Sequence, residues 1–514
     1  MAIDPNSLPQ DADALRKMVV DLAAQLERAF AEQHKYQSLL RELLEAQRNR
    51  KSEQLSKDQL ELFEALWKAA TAEEDKAEED DLDDDPPGGH SPEGKPSQKP
   101  RGRQPLARHL KRERIVHDLA ESEKHCAACR QDLRLIAEDT SERYEYIPAS
   151  LKVIQDVCLK YACDCTVRTA HKPPQPIEKS TAGASLLAHV IVAKWADHQP
   201  LHRQEKILER QGVEISRKTM GGWLAQCAKL LDPLYQLLKK ELFGSKVIGT
   251  DDTSVKVLDR KLPFARIGRI WPYVGDAHHP VIVYDYTPTR GRAGPAKFLE
   301  GYAGYLQVDA YSVYDAFFKP ARGLTEVGCW MHARRYAFKA LESDQPHMGP
   351  VLHLIARLYA VEERAKTLSL SAEQRFALRQ RISARLITKL HKYLLRLQQT
   401  VLPKSPSGTA VRYALNQWEA LTRFLEDGEL EIDNGAAERA NRDIAVGRGN
   451  WTFFGSDSGG KTAAVLRSFI ASCKRCGIEP WAWFSDVLSR IPAYSITRLK
   501  ELLPQNWKPL ASPA

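Results

Sequence analysis

Two short apolar runs, Val247-Ile248-Gly249-Thr250 and Tyr305-Leu306-Gln307-Val308, each end on an aspartate, Asp251 and Asp309. Apolar runs this short, without alternation, read as strands buried on both faces, and such strands need cover on both sides of a sheet. Two further strand-like runs lie between them, Arg269 to Val274 and Pro280 to Tyr286, with the turn residues Gly275-Asp276 at their junction. Pro295 to Leu299 reads as a short connecting segment. The pattern predicts a mixed sheet whose first and fourth strands are neighbours, each with a carboxylate at its tip.

Paired carboxylates suit a pair of Mg²⁺ ions, which need hard oxygen ligands and sit roughly 4 Å apart in two-metal sites. One ion activates an attacking hydroxyl and the other stabilises the leaving oxygen at phosphorus. This is the arrangement of ribonuclease-H-like nucleases, in which a third acid from a helix completes the site. A candidate is Glu438, in Asn434-Gly-Ala-Ala-Glu438-Arg439-Ala-Asn-Arg442. On a helix Glu438 and Arg442 share a face at i and i+4, so Arg442 would position a phosphate beside the metal. On this segment alone an ordinary surface ion pair is the plainer reading.

The charge pattern agrees with a polyanionic partner. The chain of 514 residues carries a net +8, but the run Glu73 to Asp85 alone contributes −9, leaving +17 for the remainder. Such a basic body suits DNA phosphates, although a solvated surface would have the same charge. No charged leader precedes an apolar core at the N-terminus, which predicts no signal peptide. The most apolar stretch, Gly183 to Ala196, is short and contains His189 and Lys194, which argues against a membrane span. A cytoplasmic, nucleoid-associated location is expected.

Nine cysteines without a secretory leader argue against a disulfide framework. Five of them, Cys126, Cys129, Cys158, Cys163 and Cys165, crowd into forty residues. Cys126-x-x-Cys129 and Cys163-x-Cys165, the second pair following a strand-like run from Tyr144 to Tyr161, would hold a structural Zn²⁺. The second pair has one intervening residue where two are usual, which keeps His125 and Cys158 as alternative ligands. Cys329-x-x-His332 and Cys473-x-x-Cys476 offer ligands for a second zinc, but buried helical cysteines are the preferred reading. His332 with Arg334 and Arg335 is expected near the carboxylates, where the arginines would fork onto phosphate oxygens.

Along the chain, residues 1–70 read as a coiled-coil oligomerisation helix. Leu15, Leu22, Ala29, Tyr36 and Leu43 recur every seven residues, and Pro and Gly are absent from Asp11 to Ala70. Gln25 and Glu32 interrupt the seam, so a single helix docked on the body is the alternative. Residues 71–100 form an acidic, then Pro/Gly/Ser-rich linker, and residues 101–180 a basic arm with the zinc module. Residues 181–242 are helical. There Pro200 to Gln211 is a helix, Gly212 its stop and Ser216 the N-cap of the next helix through Trp223. Arg217, Lys218 and Thr219 at that start suit a helix-turn-helix, or a hairpin that binds no DNA. Residues 243–475 form the catalytic domain, with a helical insertion at about 345–425, and 476–514 a C-terminal segment. The fold class is thus multidomain α/β.

Several motifs together resemble one family. Gly249-Thr-Asp251-Asp-Thr253, Gly304 to Tyr314, Gly328-Cys329-Trp330-Met-His332-Ala-Arg334-Arg335, Asn434 to Arg442 and Gly447-Arg448-Gly-Asn450-Trp451 are similar to insertion-sequence-66-type transposases of the DDE class. The likeness extends over Ser52 to Phe63, the cysteine cluster, Lys194 to Arg203, Pro480 to Phe484 and Leu502 to Trp507. It implies Asp251, Asp309 and Glu438 as catalytic triad and ligands of two Mg²⁺ (or Mn²⁺) ions. It also implies that element ends are cut and joined to target DNA, without ATP, by an oligomer. Small accessory proteins often accompany such elements. Arg439, Arg442 and Arg448, in the matched motifs, are expected DNA contacts. The sequence departs from the family pattern at Asp252, where glutamate is common, at Gly449, where lysine is usual, and in the shortened second cysteine pair.

Overall fold

A computed structural model describes residues 55–71, 151–163, 166–169, 174–259, 261–319 and 323–509. Two compact units divide the chain, one formed by Asp80–His171 and the other by the flanking segments. Of the smaller unit, strands β1 (Lys160–Cys163) and β2 (Thr166–Thr169) form an antiparallel hairpin with Cys163 opposite Thr166. Cys165, like Cys126 and Cys129, lies outside the described residues. Residues 151–159, expected as strand, carry no regular structure, and Val153, Ile154 and Val157 are exposed. Among the described residues no strand pairs with this run, so its β-propensity is not expressed as regular structure there.

The larger unit is a mixed α/β body. Its sheet contains β3 (Val247–Thr250), β4 (Thr253–Val257), β5 (Arg266–Val274), β6 (Ile282–Thr287), β7 (Gly304–Gln307), β8 (Leu324–Val327) and the two-residue β9 (Phe453–Phe454). β7 pairs in parallel with β3 on one side and β8 on the other. β3 and β4 both lie antiparallel to β5, at Tyr273–Val274 and at Arg266–Ile270 respectively. They are therefore two halves of one long strand, broken at Asp251-Asp252. Sequence reading placed Asp251 at a strand end and missed β4; the break separates residues that pair with the same neighbour. β6 completes the order on the far side of β5.

Helices cover both faces. α1 (Lys57–Thr71) comes first, followed by α2 (Ala184–Trp195), α3 (Leu201–Arg210) and α4 (Arg217–Leu242). Gly212 takes a left-handed φ of +79° at the end of α3, and the Ser216 side chain caps α4 through the Thr219 N–H. The expected helix, glycine stop and capped helix are thus present, although α4 runs on well past Trp223, across Gly221-Gly222 and Pro233. The segment read as a connection after β6 is a short helix, α5 (Ala293–Phe298).

After β8 come α6 (Trp330–Ala340), α7 (Gln345–Thr367), α8 (Ala372–Leu378), α9 (Ala384–Thr400), α10 (Pro406–Asn416) and α11 (Trp418–Thr422). A turn of π-helix, Arg379–Ser383, joins α8 to α9. All of these helices but α8 share an apolar core built on Trp330, Leu354, Leu358, Leu390 and Phe424, while Leu378 of α8 packs with Val361 and Ala365 of α7. The helical layer therefore starts at Trp330, earlier than the 345 expected, because α6 belongs to that core. α12 (Gly435–Trp451), α13 (Asp457–Arg475) and α14 (Pro480–Arg490) return to the sheet. β6 is an edge strand whose outer amides would otherwise lack partners. Ser468 and Ser472, one turn apart on α13, accept from the N–H groups of Tyr284 and Ile282 at 2.8 and 3.0 Å.

The heptad stretch before residue 55 lies outside the described residues. Its C-terminal continuation, α1, docks on the chain's own helical layer. Ser56 caps it through the Gln59 N–H, Gln59 reaches back to the Ser56 N–H, and Leu62 and Phe63 are buried in the shared core. Gly349 on α7 makes room for this: a Cβ there would stand 2.8 Å from Phe63. Gly349→Val is expected to weaken α1 docking by about 1–3 kcal/mol. Limited proteolysis should then cut between residues 57 and 71, and unchanged protection would refute the docking. Among the described residues no helix is long and apolar enough to cross a membrane.

Candidate active site

The register of the central pair sets the geometry. Gly249 on β3 stands opposite Gln307 on β7, so Asp251 and Asp309, each two residues further on, leave the sheet at one level on neighbouring strands. Asp251 Oδ1 accepts from the Asp252 N–H at 2.7 Å, and Oδ2 accepts from Asn441 Nδ2 at 2.9 Å. Burial pushes the Asp251 carboxyl up to about 6, helped by the charges of Asp309 and Asp252 and opposed by Asn441. Asp309 is held differently. Ala310 adopts a left-handed φ of +66°, rare for a residue with a Cβ, which lets the Tyr311 N–H donate to Asp309 Oδ1 at 3.2 Å.

Asp252 points elsewhere, as strand alternation predicts. Its carboxylate is nearly inaccessible and is gripped by Arg269 Nη1 at 2.9 Å and by Arg290 through Nε and Nη2. The Arg290 guanidinium lies 3.7 Å from the centre of the Tyr311 ring. One arginine thus touches the residue after Asp251 and the second residue after Asp309. Neither Arg269 nor Arg290 was singled out from the sequence, where nothing marks them.

Glu438 sits in the first turn of α12, one turn ahead of Asn441, so one helix presents Glu438 and also holds Asp251. Its Oε2 lies 3.4 Å from Arg335 Nη2 and its Oε1 3.5 Å from His332 Nδ1. His332 and Arg335 are thereby beside a predicted acid, as expected. Burial lowers the pKa of His332, while Glu438 and Asp309 pull the other way. Asn434, fully buried before α12, donates to the Thr250 carbonyl at 2.7 Å, and its N–H donates to Cys329 Sγ at 3.2 Å. A Cβ at Gly249 would come within 2.7 Å of Asn434 Oδ1, which explains the glycine two residues before Asp251.

The other expected DNA contacts scatter. Arg217, Lys218 and Thr219 are exposed on the first turn of α4, and Arg439 and Arg442 are exposed on α12. Arg448 turns inward, its Nη1 donating to Thr253 Oγ1 and the Ser254 carbonyl at 3.1 and 2.8 Å. The Arg334 guanidinium lies 5.9 Å from the Phe338 ring centre. A cavity of about 300 Å³ opens beside Asp309, lined by Tyr311, Tyr336, Tyr413, Asn416 and Gln417.

Three carboxylates of this kind offer hard oxygen donors, which suits Mg²⁺ or Mn²⁺. Two observations agree with a divalent ion: Glu438 Oε1 is buried without a hydrogen-bond donor, and Asp251 is crowded by like charge. Among the described residues, the one group of three potential ligands whose donor atoms lie within 4.8 Å of one another is Cys329, His332 and Glu438. The three predicted acids are thus not gathered as a single-ion cage. Cys473 is buried in the main core and Cys476 Sγ lies 3.5 Å from the Pro280 carbonyl, so these cysteines serve packing, as preferred.

Comparison with known proteins covers most of the chain. The model of the transposase IS66 family matches residues 179–462, more than half of the sequence. The chain belongs to the IS66 transposase family. The IS66 C-terminal element matches residues 468–505, and the zinc-finger binding domain of transposase IS66 matches 123–166, which spans the cysteine cluster. A model described as transposase C of IS166 homeodomain matches residues 35–115. Relatives in Sinorhizobium fredii (strain NBRC 101917 / NGR234) include uncharacterized protein y4jD, 30% identical over 99% of this chain and 98% of its own length. Uncharacterized protein y4hP is 33% identical over 79% of this chain and 77% of its own. Membership of the IS66 transposase family identifies a transposase that acts on DNA.

Proposed function

We propose that this transposase cleaves DNA at element ends and joins the freed 3′ hydroxyls to target DNA, with Asp251, Asp309 and Glu438 holding two Mg²⁺ ions. The observation that carries the reading is the level placement of Asp251 and Asp309 on parallel strands, with Glu438 and Asn441 on one face of the helix above them. The strand order β6, β5, β3/β4, β7, β8 supports a ribonuclease-H-like core, in which the first strand lies between the second and the fourth. Bound Mg²⁺ supplies activation of the attacking hydroxyl and stabilisation of the leaving oxygen.

The chain's own residues do the rest. Asn441 orients Asp251, the Tyr311 N–H orients Asp309, and Arg335 offsets the charge of Glu438. Exposed Arg439 and Arg442 lie on the helix that carries Glu438 and are suited to phosphate oxygens. A structural zinc in the cysteine-rich segment, with Cys126, Cys129, Cys163 and Cys165 as ligands, and self-association through the N-terminal helix complete the proposal.

The test is incubation with element-end DNA and Mg²⁺, alongside Asp309→Asn and Glu438→Gln. Each variant should bind DNA and give no nicked product; normal nicking by either removes that residue from the triad. Pre-cleaved ends offered with target DNA separate a transposase from a nuclease that only cuts. Gly249→Ala gives a milder outcome. The new Cβ displaces Asn434, which ties β3 to the start of α12, and nicking should fall by about 10–100-fold with DNA affinity unchanged. Wild-type rates in this variant would show that the Asn434 contact does not set the geometry.

A further inference from the structure

We infer that Cys329, His332 and Glu438 form a three-ligand site for a borderline-soft divalent ion such as Zn²⁺, and that an ion bound there withdraws Glu438 from the carboxylate site. The inference shares Glu438 with the function proposed above but does not depend on DNA cleavage. His332 Nδ1 and Glu438 Oε1 face each other at 3.5 Å, and both atoms are buried without a hydrogen-bond partner. A separation of 3.5 Å is too long for a good hydrogen bond, so a proton shared between them is a poor match. An ion fits better. Ligands placed about 2.0–2.1 Å from zinc at tetrahedral angles stand about 3.3–3.5 Å apart.

The third donor is the Cys329 thiol, which lies within 4.8 Å of the other two ligand atoms. Cys329 precedes α6 and His332 lies in its first turn, so the C-x-x-H spacing brings both donors to the same end of that helix. Burial pushes the thiol up to about 12, so binding releases its proton to solvent as the thiolate forms on the ion. The partly exposed side chains of His332 and Glu438 leave an approach from outside. Three protein ligands leave a fourth position to water, and a thiolate with an imidazole selects zinc over magnesium. Mg²⁺ has little use for sulfur. The same carboxylate would therefore face two competing demands, one soft and one hard.

The full chain, saturated with Zn²⁺ and freed of loose ion by gel filtration, should hold about one ion per chain more than Cys329→Ala or His332→Asn. Cys126→Ala with Cys129→Ala serves as a control that empties the cysteine-rich segment alone. Cobalt in place of zinc should give a thiolate charge-transfer band in that control, and His332→Asn made in the control background should lose it. His332→Asn leaves the buried thiol in place, so it stands as the readout if Cys329→Ala fails to fold. Equal metal content in wild type and His332→Asn overturns the inference. In nicking assays Zn²⁺ should inhibit the wild type at least about tenfold more strongly than Cys329→Ala. Zinc binding without any nicking in Mg²⁺ would sink the transposition chemistry and leave this site standing.

Discussion

Asp251→Asn is expected to abolish nicking and, in the same molecule, to raise the stability of the Mg²⁺-free protein at neutral pH. The first effect follows if Asp251 is a metal ligand, since a neutral amide cannot offset the charge of two divalent ions. The second follows from its environment. Burial, with Asp309 and Asp252 nearby, raises the folded carboxyl from 3.8 to about 6. A raised carboxyl favours folding only while protonated. Its contribution is present below about pH 4 and is lost as the pH rises through about 6. A shift of that size corresponds to roughly 3 kcal/mol as an upper bound. The amide escapes this penalty, and Asn441 can adapt to it. Asn441 donates to Asp251 through Nδ2 while its own buried Oδ1 has no partner, so a flipped amide would accept from the new NH₂ group. Thermal unfolding of wild type and variant at pH 7.5 and pH 4 measures the difference. A variant that is less stable at pH 7.5 refutes the electrostatic account; one that still nicks refutes the catalytic one.

Arg379→Ala should be the most damaging change outside the site, costing about 3–5 kcal/mol. Arg379 is fully buried and all five of its N–H donors are used. Nε and Nη2 grip both oxygens of Glu362 at 2.8 Å, Nη1 reaches the carbonyls of Phe424 and Asp427, and Nη2 also reaches that of Leu430. Removing it strands a buried carboxylate, left with Arg375 alone, and takes the guanidinium donors from the carbonyls of Phe424 and Leu430, while that of Asp427 keeps the Leu430 N–H. The segment held this way, Phe424 to Leu430, leads directly into Asn434 and α12, so nicking should fall with stability. Urea unfolding reads the first effect. A loss under about 1 kcal/mol would show that the network is dispensable.

The parts legible in the sequence were those with a local signature. β3 and β7 stood out because each is a short apolar run closed by an acid, and α3, Gly212 and Ser216 followed from capping rules. β4 was hidden because Asp251-Asp252 reads as a terminus, although Thr253 to Val257 continues along the same neighbour. The clamp of Arg269 and Arg290 on Asp252 joins residues 17 and 38 positions away, and its arginines look like any others. His332 was expected near the carboxylates, but 106 positions separate it from Glu438, and spacing alone did not show which acid it faces. Arg379 is one basic residue among many in a helical segment, and nothing in the sequence marks it as buried. Burial of a charge is a tertiary event, and composition does not record it.

α12 has a mechanical consequence of its own. Asn434 just before it holds Thr250, Asn441 holds Asp251, and Arg448 two turns later holds Thr253 and Ser254. The helix therefore follows the interrupted strand rung by rung, like a splint laid across a fracture. A slip or rotation of the helix cannot move Glu438 alone; it must also release the two strand halves. Under the proposed function, cutting competence would then belong to one splinted joint, present when the joint is set and lost when it is not.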